Sequence, residues 1–447
     1  MLKLSNYRAR TAEAHTTVPW ALEGHRICGS ARRSSWWIRS FLCIAPWAGV
    51  GGCADGVSVV PGYQELPSPA AVGSQGSNLA SDPDGGGWMS WIEVMGEGEH
   101  ALKVAHLAED GWASPTTVAE GDSFFVNWAD FPSVAPLGDG VVVAHWLVSG
   151  PTGGVDYSVR VSHSQNGGAS WSDVWIPHED DTRTEHGFVS FLPWEGGYAL
   201  AWLDGRDYAR FEEEGGVEAG ADPPEMALRF RARSLAEGPG PEKVLDSRVC
   251  DCCQTAAAVT DRGPVLAYRD RTEDEVRDIS LVRYDGEGWT EPVTVHDDGW
   301  RIPACPVNGP SADGFGSTVA LAWFSAAADE PVVRAAFSAD GGRTISSPVR
   351  VDGGNPLGRA QVILLNEEEA VVSWLERVDG EAELQVRRVS AEGTLGEVHR
   401  VTTTEDSRSS GFPRMASLPE GRLLFSWTET SGEGERVRTA VARVPDR

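Results

Sequence analysis

The stretch Ala370-Val371-Val372-Ser373-Trp374 decides the fold, because the chain keeps returning to it. It is a short apolar strand that ends in a small residue and an aromatic. The same ending recurs at Ser90-Trp91, His145-Trp146, Ala201-Trp202, Ala267-Tyr268, Ala322-Trp323 and Ser426-Trp427. The spacing, about 50 to 65 residues, lies at the long end of propeller repeats. One small sheet repeated around an axis makes a ring with a central channel. The repeat therefore places function at the channel mouth.

Each copy has four parts. An inner strand comes first, as in Phe131-Pro132-Ser133-Val134-Ala135, Phe188-Val189-Ser190-Phe191-Leu192 and Phe412-Pro413-Arg414-Met415-Ala416. A turn rich in Gly, Asp or Glu leads to the aromatic-ended second strand. The third strand alternates, as in Tyr157-Ser158-Val159-Arg160-Val161, which predicts one buried and one wetter face. A polar turn and a fourth strand such as Thr116-Thr117-Val118 complete the unit. The last copy stops after its third strand, Val437 to Val444, while a spare strand stands near Val57 to Leu66. Pairing these two would close the ring and hide both open sheet edges. The expected fold is all-β: one seven-bladed β-propeller of four-stranded antiparallel blades, closed by strands from both termini. Six blades with one irregular copy is the alternative.

Composition agrees with this reading. The 18 tryptophans and 51 glycines suit many short strands joined by tight turns. One propeller absorbs residues 54–447, although 447 residues would ordinarily suggest more than one domain. A net charge of -28 argues against nucleic acid as a partner, because phosphates would be repelled. The acidity is spread along the chain, and no EF-hand or nonapeptide calcium motif accompanies it.

Residues 1–53 read as an address. Arg32, Arg33 and Arg39 precede the apolar run Phe41 to Val50, followed by Gly51-Gly52-Cys53. That run is too short for a membrane span, which needs about 20 residues; with its basic flank it fits an export signal. The small residues before Cys53 resemble a bacterial lipobox, which implies lipidation of Cys53 and residence in the cell envelope. The expected location is an outer-membrane lipoprotein, or a periplasmic or extracellular protein. The only membrane attachment would be the lipid. Residues 1–30 carry no pattern, and the leader is expected to be disordered. The mature protein is expected to be a monomer.

Two turns are specific. Ser164-Gln165-Asn166-Gly167-Gly168-Ala169-Ser170-Trp171 fits Ser-x-Asp/Asn-x-Gly-x-Ser/Thr-Trp, and Ser338-Ala339-Asp340-Gly341-Gly342-Arg343-Thr344-Ile345 fits with Ile in the last place. Asn166 or Asp340 caps turn amides, Gly168 or Gly342 supplies a positive φ, and Trp171 packs back on the sheet. These turns resemble the Asp box, or BNR repeat, of the sialidase superfamily. The resemblance runs from about residue 57 to the end and implies a structural role for the boxes, away from the active site. It also implies three substrate-binding arginines, a tyrosine–glutamate pair and an acid/base aspartate. The chain departs from that pattern. Its last tyrosine is Tyr284, and Trp300-Arg301-Ile302-Pro303 stands in a late link rather than in the first blade.

In a four-stranded meander the connections alternate between the two ends of a blade. The Asp-box turns lie on one face; second-to-third loops and blade-to-blade links lie on the other. Unusual residues collect on that other face. Cys250, Cys252 and Cys253 enter the fourth blade, and Cys305 enters the fifth. His296 stands in the same link as Cys305, and His186 in the link into the third blade. Asp204, Arg206 and Asp207 follow one second strand, Arg269 follows another, and Arg359 and Arg414 begin two inner strands. The four thiols are read three ways: as disulfides, as a copper or zinc site completed by His186 or His296, or as a redox-active pair. The repeat-position His296 also fits a structural hydrogen-bonding role. Asp204, Arg206, Asp207, Arg269, Arg359 and Arg414 are the candidates for catalysis, with paired arginines as the plain reading and an anion clamp as the sharper one. Three functions follow: a ligand-binding or redox propeller with a cysteine-based site, a sialidase-type glycoside hydrolase acting on a glycan, or a surface scaffold without chemistry.

Overall fold

The computed structural model describes residues 57–216, 223–431 and 434–446. The leader and Cys53 lie outside the described residues. The strands form seven sheets, each a blade of antiparallel strands, with one added parallel strand on blade six. The inner strands are Gln75–Ser81, Ser133–Gly138, His186–Trp194, Ala256–Thr260, Ser311–Phe315, Pro356–Asn366 and Arg414–Leu418. This settles the count at seven rather than six.

The second strands run past the repeat aromatic. Glu369–Val378 continues four residues beyond Trp374, because Leu375 to Val378 still pair with the third strand, down to Val378 opposite Glu381. The aromatic is thus a mid-strand residue. At that position Trp91, Trp202, Trp323 and Trp374 are fully buried. Each repeat aromatic packs into a cluster shared with the preceding blade. Trp374 meets Ala320, Ala322 and Val333 of blade five, and Trp91 meets Ala416 and Leu424 of blade seven.

Both ends of the described chain take part in closure. Ser58–Val59 adds a parallel strand to the outer strand His399–Thr404 of blade six. Gln64–Leu66 then pairs antiparallel with Gly434–Arg443 and becomes the fourth strand of blade seven. Val60, between them, is buried in the core beside Phe425 and Trp427. One short helix, Arg206–Glu213, interrupts blade three after its second strand. The acidic stretch there gave no apolar period from which to expect it.

The two specific turns form alike. Ser164 Oγ and Ser338 Oγ each accept the amide of the glycine four residues on, at 2.9 and 2.8 Å. Asn166 Oδ1 and Asp340 Oδ1 each accept the amide four residues on, both at 2.9 Å. Trp171 packs against the Trp88 and Val104 cluster.

Removing residues 57–66 is expected to lower the melting temperature and raise light scattering, because the edge strand Gly434–Arg443 is then uncovered. Unchanged melting would show that closure lies elsewhere. Trp374→Ala should cost about 3–5 kcal/mol in denaturant titrations.

Candidate functional site

Strand direction sends all blade-to-blade links to one face of a channel whose cavity, about 600 Å³, is lined by the inner strands and reaches Asp130, Phe131, Phe412 and Arg414 at that face. The link into blade two builds one wall. Asn127 Oδ1 accepts the amides of Ala129 (2.8 Å) and Asp130 (3.3 Å), an Asx turn that fixes Trp128 and Phe131. Trp128 stacks with Phe412 at 5.9 Å between ring centres, and Phe131 meets Phe412 at 5.7 Å.

Two arginines stand on this aromatic surface. The Arg359 guanidinium lies 5.6 Å from the Trp128 ring and 5.5 Å from Phe412. Arg414 lies 5.3 Å from Phe131. Arg359 donates to Ser410 Oγ and to the Ser407 carbonyl, and Arg414 Nε donates to Asn78 Oδ1. Among the described residues no carboxylate forms an ion pair with either, and burial pulls both down to about 10. Arg359 takes φ 55°, and its amide donates to Asn308 Oδ1 at 2.7 Å. Gly358 makes this possible, since a Cβ there would sit 2.2 Å from that oxygen. Gln254 braces the mouth: its side chain donates to the Ala129 carbonyl (2.7 Å) and accepts the Gly309 amide (3.1 Å).

Beneath the aromatic wall lies a group of acids. Asp130 accepts the Phe188 amide at 2.9 Å, and the Tyr157 hydroxyl lies beside its carboxyl. Burial pushes Asp130 up to about 7. Burial, with Asp251 and Asp130 nearby, pushes Glu185 up to about 8. A side chain at Gly187 would strike Asp130 Oδ2 at 1.9 Å, so the link must carry glycine there.

The cysteines come together without histidine. The Sγ atoms of Cys250, Cys252 and Cys253 lie within 4.8 Å of one another, and the Cys250–Cys253 separation is 3.0 Å. These three and Cys305, the cysteines among the described residues, are free thiols; Cys305 is exposed, and its thiol contacts Cys252. Burial pushes the Cys250 thiol up. The neighbouring thiols and Arg277, whose Nη1 is 3.3 Å from Cys250 Sγ, outweigh it and hold Cys250 well below its usual range. Neither expected imidazole joins them. His186 stacks on His178 at 3.8 Å and faces Asp180 Oδ2 at 3.3 Å, while His296 faces Asp298 at 3.8 Å. His186 lies at the end of the link into blade three and His296 in the link that also carries Cys305, and each faces an acid of its own link.

Four of the six catalytic candidates have structural partners instead. Arg206 forms a two-pronged pair with Asp204 (2.8 and 2.6 Å) and reaches Asp180 and Glu242; Asp207 pairs with Arg229. Arg269 donates to the main-chain carbonyls of Asn308, Arg277 and Phe324, with its guanidinium 4.8 Å from the Trp300 ring. It brackets two links and does not join Arg359 and Arg414. Sequence reasoning passed over Trp128, Asp130 and Tyr157. The run Asn127-Trp128-Ala129-Asp130-Phe131, an acid between aromatics in a link, was the available signal.

No family model matches the sequence, and no curated protein matches it. Solved structures share the architecture. The BP39L lectin from Burkholderia pseudomallei aligns with TM-score 0.59 and 10% identity, over 84% of this chain and 98% of that one. A PL25 ulvan lyase bound to -[GlcA(1-4)Rha3S]- aligns with TM-score 0.52 and 10% identity, over 86% and 94%. A Hadza microbial sialidase reaches TM-score 0.40 at 14% identity, over 74% and 66%. At such identities the likeness is one of fold. The chain is a seven-bladed β-propeller with an arginine- and aromatic-lined mouth.

Asp130 gives a pH prediction. Its folded value lies above the unfolded 3.8, so the folded state holds the proton more tightly. Stability is therefore lost as pH rises from 3.8 to about 7. Asp130→Asn removes that loss. The variant should exceed wild type by about 2–4 kcal/mol above neutrality and converge with it in acid. Parallel pH profiles would contradict the shift.

Proposed function

We propose that the link-face mouth binds an acidic saccharide. The observation that carries this is the pair Arg359 and Arg414, half-buried among Trp128, Phe131 and Phe412, with no ion-paired carboxylate among the described residues; Asp406 acts on Arg359 only at longer range. A desolvated guanidinium without an ion-paired carboxylate is costly, and an incoming carboxylate or sulfate offsets that cost through paired N–H···O bonds. Flat aromatic faces offer apolar surface to a sugar ring while leaving its hydroxyls to polar groups on the cavity wall such as the Asn78 side chain. A lectin and a lyase holding a uronate disaccharide on the same architecture support the reading at the level of fold. Export and lipidation at Cys53 belong to the same proposal, since they put the mouth where extracellular polysaccharide is met.

A second reading adds cleavage. Asp130 lines the cavity, and a carboxyl still protonated near neutrality is a suitable proton donor. Turnover of a uronate polymer lost in Asp130→Asn, with binding kept, would establish it; binding without turnover in wild type would leave a lectin-like protein.

Calorimetry with a uronic-acid oligosaccharide and its methyl ester tests the binding site. Wild type should bind the acid form and discriminate against the ester. Arg359→Ala and Arg414→Ala should each weaken binding about 10- to 100-fold, equivalent to about 1.5–3 kcal/mol for a charged hydrogen bond. Equal affinity for acid and ester, or arginine variants that bind as wild type does, would overturn the proposal.

A further inference from the structure

We propose that Cys250, Cys252 and Cys253 form a three-sulfur site for copper(I), with Cys305 as a fourth thiol at its entrance. The site shares no residue with the arginine–aromatic wall, so it stands or falls separately from the saccharide reading.

The convergence is built by the chain. The Cys250 amide donates to the Arg269 carbonyl at 3.0 Å, and Val249 bridges to Asp270, anchoring the start of the turn. The Gln254 side chain anchors its end on Ala129 and Gly309. Three sulfurs are gathered between these anchors. Cys250 and Cys253 are each 1% exposed. Their 3.0 Å separation is longer than the about 2.05 Å of a bonded pair. Arg277 Nη1, 3.3 Å from Cys250 Sγ, supplies positive charge against the thiolates. Arg277 also binds Glu275 at 2.9 Å, which fixes its guanidinium.

The donor set selects the ion. Among the described residues no imidazole joins the three sulfurs, so the gathered ligands are sulfur alone. Soft thiolates favour copper(I), which accepts three of them, whereas zinc in a structural site takes four ligands. Here a fourth would have to come from exposed Cys305. Its contact with Cys252 suits a thiol that receives an incoming ion and passes it inward. Binding is an exchange without redox change: copper(I) enters, and each coordinating sulfur that still carries a proton releases it to water.

Anaerobically purified full-length protein, titrated with copper(I) against bicinchoninate and separately with zinc(II), tests this. One copper(I) per chain is expected, with thiolate-to-copper absorption in the ultraviolet and three thiols protected from alkylation. Cys250→Ser and Cys253→Ser should abolish stoichiometric binding. Cys305→Ser should keep the copper but slow its loading. Copper-edge X-ray absorption on wild type, which needs no variant to fold, should show sulfur neighbours only. Nitrogen neighbours, preferential zinc retention with four thiols protected, or a persistent Cys250–Cys253 disulfide that excludes copper would each overturn the assignment.

Discussion

One buried aromatic per blade holds this ring together. Each repeat position packs against the blade before it: Trp146 on blade one, Trp202 on blade two, Tyr268 on blade three, Trp323 on blade four and Trp427 on blade six. Trp374 and Trp91 make the remaining two joints. Face-to-face sheets cannot bury their inner surfaces alone, so the ring is stable only when every joint is filled. A large aromatic fills such a joint with more apolar area than an aliphatic would. The seventh joint needs a blade seven that is itself complete, which is why the borrowed strand Gln64–Leu66 matters.

The same aromatics organise the link face. A buried indole N–H needs an acceptor. Trp202 gives its N–H to Asp204 at 2.7 Å, Trp374 to Glu376 at 2.6 Å and Trp323 to Asp298 at 2.7 Å. These carboxylates then order the loops beyond. Asp204 holds Arg206, Glu376 accepts the amides of Gly353 and Asn355, and Asp298 pairs with Arg334. The core thus reaches the mouth through acids whose first duty is to the indole. Asp204 looks catalytic in a sequence because it is an acid at a mouth; in the structure it is the outer end of a core contact.

This explains what the sequence disclosed. Blade number, closure and the choice of face depend on period and strand direction, which are local and survive in a linear reading. The gathering of Cys250, Cys252 and Cys253 was equally legible, since three of the four thiols are neighbours in the chain. Partner choice was not. Arg269 and Arg414 look alike as residues that flank strands, yet one clamps carbonyls while the other faces the channel. Asp130 holds its proton because burial against the next blade desolvates it, against the lowering pull of the Phe188 amide, and Gly187 leaves the room for it. His186 lies far in sequence from any cysteine, and nothing linear indicates that Asp180 and His178 engage it first.

The thiol turn and the arginine–aromatic wall are separate clusters with one shared support. Gln254 directly follows Cys253, and its side chain holds Ala129, the residue between Trp128 and Asp130. It also holds Gly309, next to the Asn308 whose side chain fixes the Arg359 backbone. Any stiffening of the turn at Cys253 therefore acts on both sides of the mouth through a single amide. An ion in the turn would order the wall without touching a sugar, because the geometry of Trp128 and Arg359 is set by these links rather than by the inner strands alone. That arrangement gives a physical reason for a thiol cluster to sit beside a binding surface: it fixes loops that, on a ring closed by packing, have few other constraints.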